Sequence, residues 1–441
     1  MFKQVKTNKV LGYYSPAFFY MELNTETTFD NLLLNEKTEL IFFHEYIHFL
    51  QDIFCLYGVN NIRHILILLK DKISYMQKNK QIIKKLPAKY SSALVSGINE
   101  LFKYQYGEKN KNTIENLNKY GLNVTIKIIN SESVYIDGND MLVHYISFNE
   151  ITEKYQLGSI DIIEGMAFLL GKRMFKNIVQ EAPAFPYRTI EILIEYYCPF
   201  SFPDNLYIIA LCELSLCCDS PMEIFMETIK KFKEKLFVPK NMEDFIENVM
   251  IEEHMKQYNY LHSVLVDDTL KEFEYIFDKD NYFSDILLWV KTLLLKAKEV
   301  KGKNNYLPIT NYFKDNDKNA FHKLISNEIG TPIIYLEQNK QGYYFNVNNA
   351  TKDLYIFRVL ENFFNSLYVG YGCFMEDYCR EKSKIYCENN FTDNNCKNIP
   401  SKRASELYEN LCPYAVLWKY FGLKIDLEFK KMPNFEILNN I

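Results

Sequence analysis

The chain has 441 residues, enough for two or three domains or for one large catalytic unit with an appended half. A net charge of -5 removes any electrostatic reason to expect nucleic acid as the main partner, while 48% hydrophobic and 16% aromatic residues can fill a sizeable core. With only 15 Gly and 13 Pro, few tight turns are expected, and the predicted fold class is α+β, predominantly helical.

In chain order, the first ten residues hold no apolar stretch of signal-peptide type, which predicts a reduced, cytoplasmic setting. Residues 10–23 read as extended, broken at Pro16. Asn35 is a good N-cap for a helix over residues 36–57, which is expected to stop at Gly58. Amphipathic helices follow at about 60–85 and 90–106, then a polar linker at 107–122; the Lys-rich stretch 70–89 reads as a solvated helix face. Residues 123–136 and 141–149 alternate apolar and polar around Asp137-Gly138-Asn139-Asp140, the pattern of an inserted hairpin over 123–149.

Ser159 is the expected N-cap of a second important helix, residues 160–175. From Thr189 to about 300 the pattern is helical, with breaks at 199–203, 221 and 239. A second hairpin is predicted at 332–348, turning between Asn339 and Gly342, and helices return at 352–368 and 402–421. No apolar run approaches the ~20 residues that span a bilayer, so no membrane partner is expected; residues 207–218 come nearest and carry Glu213. Cys373, Cys379, Cys387, Cys396 and Cys412 lack CxxC spacing and read as free thiols, as do the adjacent Cys217 and Cys218. The chemistry-bearing segments define a catalytic region at 1–235 and a mainly helical accessory region at 236–441.

Residues 44–48 are His-Glu-Tyr-Ile-His. On a helix, residues four apart return to nearly the same face, so His44 and His48 can grip one metal ion, with Glu45 on the neighbouring stripe as a general base. Only about 0.015 such matches are expected by chance in a chain with this composition. The flanking Leu40, Ile41, Phe42, Phe43, Ile47, Phe49 and Leu50 predict burial on most of the helix circumference. Two histidines and a glutamate there need a partner, and a metal is the most economical one.

A catalytic zinc usually takes three protein ligands and keeps one open position. HExxHxxGxxH fails, since Gln51 and Phe54 occupy the required Gly and His positions. Gly330-Thr331 is followed by Pro-Ile-Ile, so a Gly-Thr-x-x-Asp ligand is also absent. A glutamate from a separate helix is left, and Glu164, on an otherwise apolar helix, is the leading candidate. Glu100, Glu115, Glu150, Glu153 and His144 stay open as alternatives, and Glu164 could instead pair with Lys172 or Arg173. Small Gly165 and Ala167 are expected to let this helix approach the His44/His48 helix.

The pentapeptide 44–48 with a later Glu164-Gly165-x-Ala167 resembles the gluzincin zinc metallopeptidases, whose third ligand often sits in an E-G-x-A or E-x-x-A context. The resemblance covers two segments of about 20 residues each. It implies a zincin-like catalytic core with a small sheet, Zn²⁺ as cofactor, a protein or peptide substrate, and a Tyr or Arg donor for the oxyanion, for which Tyr187 and Arg188 are the candidates. Asp161, one turn before Glu164, is expected to accept the outer N–H of a ligand histidine, with Asp52, one turn past His48, as the weaker choice. The reading is a zinc metallopeptidase with Glu45 as base. A catalytically silent zincin-like binding or regulatory module, or a triggered cytosolic toxin or defence protease, is the alternative, and a regulatory protein partner would suit either.

Overall fold

Asn35 is extended, and its side-chain oxygen accepts the N–H groups of Lys37 and Thr38, so α1 (Glu36–Phe54) begins one residue later. Every residue from Phe42 to Phe54 is buried, as the apolar flanks predict. The computed structural model describes residues 11–25, 31–88, 90, 92–136, 138–178, 182–278, 281–303, 306–336, 341–343, 356–370, 372–373, 400–405 and 412–429.

The predicted stop at Gly58 is corrected. α1 ends at Cys55, and α2 (Leu56–Lys78) leaves at an 80° bend. Gly58 lies inside the first turn of α2, where a Cβ would sit 2.4 Å from the Gln51 carbonyl oxygen and 2.5 Å from the Asp52 Cα. This glycine therefore serves the close contact of an elbow rather than a helix end.

α3 (Ala93–Tyr106) follows, capped by Ser92. The linker expected at 107–122 contains a helix, α4 (Lys111–Tyr120), capped by Asn110. Its polar composition hides a short apolar stripe, since Ile114 and Leu117 are buried three residues apart.

The 123–149 hairpin forms as β3 (Ile126–Ile136) and β4 (Asn139–Phe148), antiparallel, and β5 (Lys154–Gln156) adds to β4. At the N-terminus β1 (Gly12–Ser15) and β2 (Tyr20–Leu23) flank Pro16 as an antiparallel pair. β2 then pairs in parallel with β6 (Ile333–Leu336), which takes β7 (Gln341–Tyr343) on its far side, giving the order β1-β2-β6-β7. The two strands of the predicted 332–348 hairpin thus pair, but the turn falls earlier than Asn339–Gly342, since Gln341 and Gly342 already belong to β7; residues 337–340 and 344–348 lie outside the described residues.

α5 (Ser159–Met174) is capped by Gly158, not Ser159. Asp161 accepts the Gly158 N–H at 3.0 Å, whereas the Ser159 hydroxyl lies 2.6 Å from the Tyr57 hydroxyl of α2. Past it come α6 (Thr189–Tyr197), α7 (Asn205–Leu216), α8 (Pro221–Lys235) and α9 (Met242–Val249). α10 (Glu252–Phe277) packs along α2, and α11 (Ser284–Gly302) lies against both α10 and α1. α12 (Pro308–Phe313) touches α1 and α7, and α13 (Lys318–Lys323) precedes β6. α14 (Ile356–Val369) packs against α15 (Pro413–Tyr420), which covers part of the 402–421 prediction. Buried side chains from both halves of the chain join in one apolar core around α1.

The Glu213 that interrupts the most apolar stretch has a structural use. Its carboxylate accepts the N–H groups of Ile309 and Thr310 at 2.9 and 2.7 Å and the Thr310 hydroxyl at 2.6 Å, capping α12 from α7. Among the described residues no single helix is long and apolar enough to cross a membrane.

His262 on α10 closes the other end of α1. Its Nε2 donates to the Ile53 carbonyl at 3.0 Å, one of the carbonyls a helix end leaves free. Burial, with Lys301 and Lys298 nearby, depresses its pKa from 6.5 to about 3. The unfolded chain therefore takes up a proton below pH 6.5 that the folded chain refuses. This contribution to stability is complete above pH 6.5 and falls by about 1.4 kcal/mol per pH unit as pH drops toward 3. His262→Gln, which keeps a donor, should flatten the acid side of the stability profile measured by denaturant titration at several pH values. An unchanged slope would remove His262 as a source of acid sensitivity.

Candidate metal centre

α1 and α5 pack against each other and bring three side chains to a point. His44 Nε2 lies 3.1 Å from Glu164 Oε2, His48 Nε2 lies 3.4 Å from the same oxygen, and the two Nε2 atoms are 3.2 Å apart. All three residues are buried. Ligand atoms held at roughly 2.0–2.1 Å in a tetrahedron are about 3.3 Å from one another, so the observed triangle has dimensions that could hold a metal ion.

The hydrogen-bond roles point the same way. Gln51 Nε2 donates to the Ile163 carbonyl at 3.1 Å, which aims the amide oxygen at His48 Nδ1, 2.9 Å away. Nδ1 therefore carries the proton, and Nε2 presents a lone pair to the triangle. That lone pair faces the Nε2 of His44 and a carboxylate oxygen, and such a cluster needs a cation or extra protons. Burial opposes charge on His48, yet Glu164 outweighs it and drives the imidazole toward its charged form. Burial likewise pushes the Glu164 carboxyl up, but His48 and His44 hold it well below the usual carboxylate range.

Glu45 is buried beside this triangle. Burial raises its pKa, with the two imidazoles acting in the opposite direction, and its Oε2 has no hydrogen-bond partner. The backbone of β1 lies directly on it, since a Cβ at Gly12 would meet Glu45 Oε1 at 2.8 Å. Tyr187 is close, its ring centre 5.8 Å from that of His44, and the nearby Glu164 and Glu45 add to burial in keeping its hydroxyl protonated.

Several expectations are corrected. Asp161 does not reach a histidine: it accepts the Tyr155 hydroxyl at 2.7 Å and the Gly158 N–H, because its position in the first turn suits capping its own helix. Arg188 is tied to Glu191 at 2.6 Å and lies over the Phe168 ring, so its contacts are with α5 and α6 rather than the triangle. Gly165 makes room for α6, not α1, since a Cβ there would sit 2.9 Å from Ile190 Cγ1. Lys172 and Arg173 pair with Glu191 and Asp204, not Glu164. Among the other ligand candidates, His144 pairs with the Ser131 hydroxyl, Glu150 accepts the Thr125 N–H, and Glu115 faces Lys111. Among the described residues, His44, His48 and Glu164 make the one group with metal-ligand geometry, and Cys379, Cys387 and Cys396 fall outside those residues.

The sequence reading missed Gln51 and Tyr106. Gln51 was legible in principle, because a residue three after His48 shares its helix face. Tyr106, which ends α3 and lies close enough to Glu164 to feel its charge, has no local signal. Removal of an outer partner typically costs 10- to 100-fold in metal affinity. If the triangle holds a divalent ion, Gln51→Ala should weaken its binding by about that factor in a competition titration with a chromophoric chelator. Undiminished affinity would mean that the amide does not orient His48. No protein-family model matches the chain, and no curated protein or solved structure matches it either.

Proposed function

We propose that the chain is a zinc-dependent peptidase of gluzincin type. The observation that carries the reading is the triangle of three cation-seeking atoms, 3.1–3.4 Å apart, with an unpartnered carboxylate oxygen of Glu45 next to it. His44, His48 and Glu164 would hold the ion, which supplies Lewis acidity toward a carbonyl and lowers the pKa of water to ~7. Glu45 takes a proton on its free oxygen and delivers it to the leaving amine, a role suited to a carboxylate whose pKa burial has raised. Tyr187 keeps its proton and donates toward the oxygen where negative charge develops. β1 ends its sheet and carries the backbone that touches Glu45, so its outer edge offers hydrogen bonds to an extended peptide.

The test is incubation of zinc-loaded protein with a peptide mixture of varied sequence, with fragments read by mass spectrometry. Cleavage that a chelator stops and added zinc restores is the expected result. Intact peptides throughout would end the reading.

A further inference from the structure

A pocket at the α1–α2 elbow is lined in part by His48 and Glu164. Its walls include Tyr13, Tyr14, Tyr57 and Tyr106, together with Asp52 and Asn61. Tyr13 donates to Glu361 at 3.1 Å, Tyr14 donates to Asp52 at 2.9 Å, and Tyr57 pairs with Ser159. Tyrosine rings that line a pocket can attract a cation through their faces.

Asp52 brings a carboxylate to the same space. It is 6% exposed, and its two hydrogen bonds, from the Tyr14 hydroxyl and the Ala17 N–H, both end on Oδ2. Burial raises its pKa to about 7, which marks a charge lacking a full counterpart. Among the described residues, no lysine or arginine lines the pocket. Asp52 and Glu164 are the carboxylates that line it.

We propose that the elbow pocket receives a basic side chain, lysine or arginine, with the tyrosine rings around its stem and head and Asp52 as the counter-charge. This rests on the peptidase reading for its place in catalysis, where the pocket selects substrates bearing a cationic residue beside the scissile bond. Binding to the pocket does not require turnover, so the two claims separate.

The test compares Nα-acetyl-lysine amide with Nα-acetyl-norleucine amide, which matches the stem but lacks the charge, by calorimetry on the zinc-loaded protein. Lysine amide should bind at least about tenfold tighter, as expected for a desolvated cation with a carboxylate partner and ring contacts. The preference should collapse in Asp52→Asn. In Tyr106→Leu, lysine affinity should fall while norleucine affinity holds. Equal or tighter norleucine binding to the parent overturns the proposal without recourse to any variant. A preference that survives Asp52→Asn overturns the assignment of the counter-charge. If the lysine preference stands but no peptide is cut, the peptidase reading fails and the pocket remains. If peptides are cut with no bias toward basic residues at any position, the pocket fails and the peptidase remains.

Discussion

If the chain is the zinc peptidase proposed above, replacing Glu45 with glutamine should stop peptide hydrolysis and leave zinc bound. The substitution keeps the shape and one acceptor oxygen, but an amide cannot take up a proton at neutral pH. A positioned acid–base group typically contributes 10²- to 10⁴-fold, so activity should fall by about that range. Zinc content should be unchanged, because the triangle of His44, His48 and Glu164 does not include Glu45. The paired measurement is metal analysis beside peptide turnover on one preparation. Activity that survives would show that the base is another group. Zinc that is lost would show that Glu45 is a ligand after all. A purely structural metal site has no use for a buried acid with a free oxygen, so intact zinc with abolished turnover also separates catalysis from a silent binding module.

Removing Glu164 should have the opposite signature. Glu164→Ala leaves two imidazole nitrogens 3.2 Å apart with no anionic partner. Zinc affinity should fall by more than the roughly 10- to 100-fold expected for an outer partner such as Gln51. The stabilisation expected of a bound ion, about 2.7 kcal/mol at a hundredfold excess over Kd, should shrink with it in thermal melts at fixed zinc. Equal zinc content in the Glu164 variant and the parent would remove the third ligand and leave the two histidines. The variant also replaces a carboxylate that His44 and His48 hold strongly ionised, so the parent without zinc is the proper control for stability.

The legible parts of this chain were those set by local chemistry. Asn35 caps α1 through its own side chain, and the period of four places His44 and His48 on one face before any tertiary contact forms. The 123–149 hairpin follows from alternation and a turn sequence, both local. Helix ends were less secure. Gly58 looks like a stop because glycine often ends helices, yet here it admits the backbone of the preceding helix at the elbow. Ser159 looks like a cap, but Asp161 caps from inside the helix and frees the serine to meet Tyr57.

The amino-acid order alone determined the motif helix, its burial, and the placement of two imidazoles and one carboxylate on neighbouring stripes of it. Only tertiary packing decided which glutamate joins them, because the contact between Glu164 and His44 spans 120 positions and depends on how α5 lies against α1. The same packing sent Asp161 and Arg188 to other partners, laid β1 against Glu45, and gathered four tyrosines from three separate segments around Asp52. Periodicity reports which face of a helix is apolar; it carries no information on which distant face will cover it.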